Sequence, residues 1–90
     1  MELRRVVITG LGAITPIGNT VSEYWDSLCK GVNGAGPVTR FDASKFKTRI
    51  ACEVKNFDPL QYFDRKEARK LDLYTQFALI ASDEAIRDSK

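Results

Sequence analysis

Leu3 to Gly10 is the one segment of this chain that reads plainly as a strand, and its centre, Val6-Val7-Ile8, asks for burial on both faces. An unbroken β-branched run belongs in the middle of a parallel sheet. Such a strand needs neighbours, and parallel neighbours are joined by crossovers of a dozen residues or more. The remainder offers two or three helices and one weaker strand, Ile50-Ala51-Cys52-Glu53-Val54. Ninety residues is short for a domain, whose common size is about 100–150. The layout therefore predicts an α/β fold in which residues 1–90 are the N-terminal segment of a longer polypeptide, an incomplete domain. Small cores bury too little surface to stand alone easily.

The local signals are clearer than the global ones. Thr9-Gly10-Leu11-Gly12 predicts a tight turn or a close approach, and Pro16 keeps Ala13 to Asn19 out of a helix. Thr20 and Glu23 form a capping box, opening a helix whose apolar stripe is Val21, Tyr24, Trp25, Leu28 and Val32. Gly31 closes it, and residues 31–37 read as a loop. Asp58-Pro59 predicts a single helical turn through Tyr62. The last element begins at Asp64, capped with Glu67 at its third position, and runs to about Ile86 as one long helix. A break near Asp72 into two helices is the alternative. Its expected core stripe is Leu71, Tyr74, Ala78, Ala81 and Ala85, widened by Leu73, Phe77 and Ile80.

The start of that element is strongly basic. At 100° per residue, Arg65, Lys66, Arg69 and Lys70 fall within an arc of about 140°. A helix N-terminus carries partial positive charge, so cations placed there oppose the dipole. An anionic partner accounts for that placement; the plain alternative is a solvated helix surface partly offset by Asp64, Glu67 and Asp72. Net charge is only +2, so recognition must be local. No aromatic residues interleave the cations, which argues against nucleic acid. With no long apolar run at the N-terminus, neither a signal peptide nor a membrane span is expected.

Other chemistry is thinly supported. Val6 to Gly12 leads a strand into Gly-x-Gly, but the third small residue of a dinucleotide fingerprint is replaced by Thr15, and Pro16 follows. Cys29 and Cys52, 22 residues apart, match no metal-ligand spacing. Both are read as small structural residues, Cys29 in the core. The chain contains no histidine, the usual general base and the usual partner of a nucleophilic cysteine. No complete catalytic set, cofactor site or metal site is expected in residues 1–90.

Arg4-Arg5-Val6-Val7-Ile8-Thr9-Gly10-Leu11-Gly12-Ala13-Ile14-Thr15-Pro16-Ile17-Gly18-Asn19 resembles the opening of β-ketoacyl-acyl carrier protein synthases. Trp25 and Leu28, Phe41-Asp42, Glu53 to Pro59 and Lys66-Glu67-Ala68-Arg69-Lys70-Leu71-Asp72 keep that pattern in register over essentially the whole chain. The Phe-Asp and Lys-Glu-Ala-Arg-Lys portions favour the type II elongating synthase. Leu71 stands where methionine is usual, Leu73-Tyr74 where arginine and phenylalanine are common, and Ala35 where isoleucine is frequent.

The resemblance implies a thiolase-like αβαβα layered fold and a cytoplasmic homodimer that uses no cofactor. It implies an acyltransferase that joins malonyl-carrier protein to an acyl-enzyme thioester by decarboxylative Claisen condensation. A cysteine and two histidines do this chemistry in the family, all downstream of position 90; neither Cys29 nor Cys52 matches the nucleophile's motif. Lys66, Arg69 and Lys70 match basic residues that bind acyl carrier protein, acyl- or malonyl-loaded, and Arg65 is a candidate on the same face. Two other readings stay open beside a fatty-acid condensing enzyme or a polyketide-type ketosynthase: a nucleotide-binding α/β oxidoreductase domain, and a free-standing anion- or protein-binding module.

Overall fold

The computed structural model describes residues 2–90. Helix α1 spans Val21–Lys30, strands β1 and β2 span Ala35–Pro37 and Ile50–Cys52, a 3₁₀ turn spans Pro59–Gln61, and helices α2 and α3 span Arg65–Lys70 and Leu73–Ser89.

The caps form where the sequence places them. Thr20 Oγ1 accepts from Glu23 N–H at 3.2 Å and opens α1. Gly31 closes it at φ 67°, ψ 34°, with Gly31 N–H donating to Leu28 O at 3.2 Å and Val32 N–H to Ser27 O at 3.0 Å. That pair of bonds is a Schellman motif, which needs a left-handed residue. No neighbouring atom lies within 4 Å of where a Gly31 Cβ would sit, so Gly31→Ala meets only backbone strain. We expect it to speed amide exchange at Gly31 and Val32 by about fivefold, matching a cost of about 1 kcal/mol. Unchanged exchange would count against the motif's contribution. Asp58 caps the 3₁₀ turn through Leu60 N–H at 3.0 Å, with Pro59 in its first position.

Helix α3 is the spine on which the N-terminal half is hung. Two of its carboxylates accept backbone amides from far along the chain: Asp88 from Leu11 at 3.0 Å, and Glu84 from Ala13 at 2.9 Å and Val21 at 3.1 Å. Val21 is the first residue of α1, so Glu84 satisfies a helix-end donor that has no partner within its own helix. The approach is close enough that a Cβ on Gly12 would lie 1.8 Å from Ala81 O. On the other side, Lys55 Nζ donates to the carbonyls of Pro16, Gly34 and Glu53 at 3.2, 2.7 and 3.0 Å, gathering three loops. Phe57 stacks on Tyr62 at 5.8 Å and meets Phe77 edge-on at 5.0 Å, seating the 3₁₀ turn against α3.

Four expectations are corrected. The Leu3–Gly10 segment forms no strand and pairs with nothing among the described residues, and Val6, Val7 and Ile8 are 86%, 68% and 80% exposed. A strand exists only through partner hydrogen bonds, and this chain supplies none there. Residues 35–37, read as loop, instead form β1, antiparallel to β2 with Gly36 opposite Ala51. Pro37 is tolerated because a two-stranded ribbon consists only of edges. The apolar stripe of α1 is open: Trp25 is 66% and Leu28 48% exposed, and Cys29 is exposed rather than in the core. Tyr74 and Ala78, expected in the core stripe of α3, are also exposed.

Candidate functional site

The last element divides at Asp72, the alternative left open by the sequence. Asp64 Oδ1 accepts from Glu67 N–H at 2.8 Å and starts α2. Leu71 is extended, at φ −101° and ψ 132°, and ends it. Asp72 then starts α3 without a side-chain cap bond. Arg65, Lys66, Arg69 and Lys70 are all exposed, and Ala68 is half-buried on the inner side. Among the described residues the ion pairs are Asp26–Lys30 and Asp83–Arg87, so none of the four cations is neutralised by a carboxylate within 4.0 Å.

The electrostatic reasoning from sequence is corrected by this division. In a six-residue helix, Arg69 and Lys70 occupy the last turn. Cations there complement the dipole instead of opposing it. Only Arg65 and Lys66 stand at the unfavourable end, which Asp64 and Glu67 already offset. The arrangement is thus not a helix held against its own dipole. What remains is the surface: four cations on one side of a short helix, with their side chains free to meet an anion.

Sequence reasoning missed Gln76. It is 3% exposed, the one buried polar residue among those described. Its Nε2 donates to Ala68 O at 3.0 Å and to Leu71 O at 3.1 Å, reaching from α3 to the end of α2. A usable signal was present: Gln76, Ile80 and Glu84 recur every fourth residue and share a face with Phe77. Polar residues on an apolar face of this kind are there to pair with backbone.

The Gly10-Leu11-Gly12 turn does not offer a phosphate cradle. The amides of Leu11 and Ala13 are occupied by the carboxylates of Asp88 and Glu84, whose charge would repel a pyrophosphate. The next helix begins only at Val21. Cys29 and Cys52 are both free thiols, and Cys52 lies on β2, within the strand read for it.

A profile of the family described as "Beta-ketoacyl synthase, N-terminal domain" matches residues 3–90. The "3-oxoacyl-[acyl-carrier-protein] synthase 2" of Synechocystis sp. is 57% identical over 90 residues, covering 100% of this chain and 22% of that protein. The protein of the same name from Coxiella burnetii is 53% identical over 89 residues, 99% of this chain and 22% of its own length. A solved structure, the ishigamide ketosynthase/chain length factor, superposes with a TM-score of 0.84 at 40% identity, covering 96% of this chain and 21% of that one. The chain therefore spans about a fifth of the length of the curated relatives it matches.

Proposed function

Since the chain belongs to the β-ketoacyl synthase N-terminal domain family and carries the corresponding part of the thiolase-like α/β fold, we propose that it is the N-terminal segment of a condensing acyltransferase. The proposed reaction joins malonyl-carrier protein to an acyl group held as a cysteine thioester. Loss of CO₂ leaves a carbanion that attacks the thioester carbonyl and expels the cysteine thiolate, lengthening the acyl chain by two carbons. The nucleophile and its two assisting histidines belong to residues beyond position 90.

The role proposed for residues 1–90 is twofold: to supply core and to dock the carrier. Lys66, Arg69 and Lys70, with Arg65 beside them, meet the acidic surface of acyl carrier protein. The observation that carries this is the exposed basic face of α2, free of carboxylate partners among the described residues, in a chain whose relatives are named for that carrier. Electrostatic docking of this kind speeds encounter and permits release between cycles. A cytoplasmic homodimer that binds neither membrane nor nucleic acid completes the reading; no helix among the described residues is long and apolar enough to cross a membrane. The polyketide-type alternative is favoured by the ketosynthase/chain length factor at 40% identity. The 57% identity to the 3-oxoacyl synthase favours fatty acid elongation.

The full-length polypeptide, given acyl- and malonyl-loaded carrier, is expected to release CO₂ and 3-oxoacyl-carrier protein in equal amounts. Residues 1–90 alone are expected to release neither. Absence of product from the full-length protein, with binding of a nicotinamide cofactor in its place, would overturn the reading.

A further inference from the structure

Helix α2 is six residues long, well below the roughly 12–15 at which an isolated helix becomes even marginally stable. Something outside it must hold its direction. Its N-terminal end is capped locally by Asp64. At its other end, the turn to extended backbone at Leu71 leaves carbonyls that no continuing helix serves. The one carboxamide buried beneath them is Gln76, whose Nε2 bridges Ala68 O and Leu71 O. Its Oε1 is buried with no hydrogen-bond partner. Turning the amide over would point that oxygen at two carbonyl oxygens, so the orientation is fixed by what it serves. A buried acceptor is left unmade so that both donor hydrogens reach the end of α2.

We propose that Gln76 is a positioning residue for carrier docking, fixing the angle at which α2 presents Lys66, Arg69 and Lys70; this rests on the docking reading above. Arg69 and Lys70 lie between the two carbonyls that Gln76 grips. Releasing the grip therefore frays the very turn that carries them. Cations on a mobile turn still attract an acidic partner, but more of their binding energy goes into ordering that turn.

The test is Gln76→Met in the full-length enzyme. Methionine is near in shape, and it removes the unpartnered Oε1 along with the donor, so the core is spared while α2 is freed. We expect KM for carrier-bound substrate to rise about fivefold, the loss of roughly one net hydrogen bond. Turnover of a small acyl-thioester lacking the carrier should be unchanged. Amide exchange over residues 68–71 should quicken, and Lys66→Glu should add less in this background than in the wild type. Gln76→Asn, which keeps the carboxamide but withdraws it by one methylene, should show the same split in milder form if the methionine variant does not fold. If Lys66→Glu raises the carrier KM while Gln76→Met changes neither KM nor exchange, the positioning role is overturned and docking stands. If neither substitution moves the carrier KM, both fall. Equal losses with carrier-bound and small substrates in both Gln76 variants would make the residue a general structural one and overturn the proposal.

Discussion

Reversing Lys66 and Arg69 together to glutamate should raise the KM for carrier-bound substrate by roughly ten- to a hundredfold, leaving small acyl-thioesters turned over at the wild-type rate. An exposed charge pair contributes about 0.2–1 kcal/mol, and reversal replaces that attraction with a repulsion of similar size. Two such sites span about 0.8–4 kcal/mol, and the middle of that range, about 1.4–2.8 kcal/mol, is ten- to a hundredfold at 1.4 kcal/mol per tenfold. The effect should shrink as salt rises, since exposed charges are screened over about 10 Å at 0.1 M. The two positions differ usefully as controls. Lys66 lies in the first turn of α2, where a new carboxylate suits the dipole, so Lys66→Glu should not weaken the helix. Arg69 is in the last turn, where a carboxylate is unfavourable, so part of its loss is structural. Agreement between the single variants identifies docking. Equal losses with carrier-bound and small substrates, or no loss with either, would defeat it.

How much of this was legible in the sequence follows from the range of the interactions involved. Thr20, Gly31 and Asp64 cap as read, and Pro59 opens its turn as read, because each bond spans two to five residues. The strand β1 was hidden because Ala35-Gly36-Pro37 has the composition of a turn and becomes a strand only through β2, fifteen residues or so along the chain. The opposite error occurred at Val6-Val7-Ile8, where strong strand propensity meets no partner among the described residues. The division at Asp72 mattered most for function. The four cations are exposed on α2, yet the reason read for them, opposition to a long helix dipole, fails because α2 ends at Lys70. Gln76 escaped notice because helical periodicity scores apolar residues, while this position works through its carboxamide. The family resemblance was legible throughout, carried by motifs that no single element's propensity explains.

Expressed alone, residues 1–90 should show helical circular dichroism but no cooperative melting transition, and should sediment as mixed aggregates. A compact chain of this length has a radius of gyration of about 12 Å, whereas this one has 16.6 Å. Only Ala43 and Gln76 are buried among the described residues, while Leu3, Val6, Ile8, Trp25, Tyr74 and Ile86 are each more than 60% exposed. At about 25 cal/mol per Å² of apolar surface, so little burial cannot offset roughly 1–2 kcal/mol of backbone entropy per ordered residue. The unpaired backbone from Leu3 to Ile8 then offers an open edge to a second copy. Val7→Lys should therefore reduce association without restoring a cooperative melt, because it removes edge pairing but supplies no core. Under the function proposed above, the same surfaces are where the remaining strands and helices of a condensing enzyme would lie. A monomer that melts in one sharp transition would instead make residues 1–90 a self-sufficient anion-binding module. The exposed Val6-Val7-Ile8 would then have to be explained without the rest of a condensing enzyme.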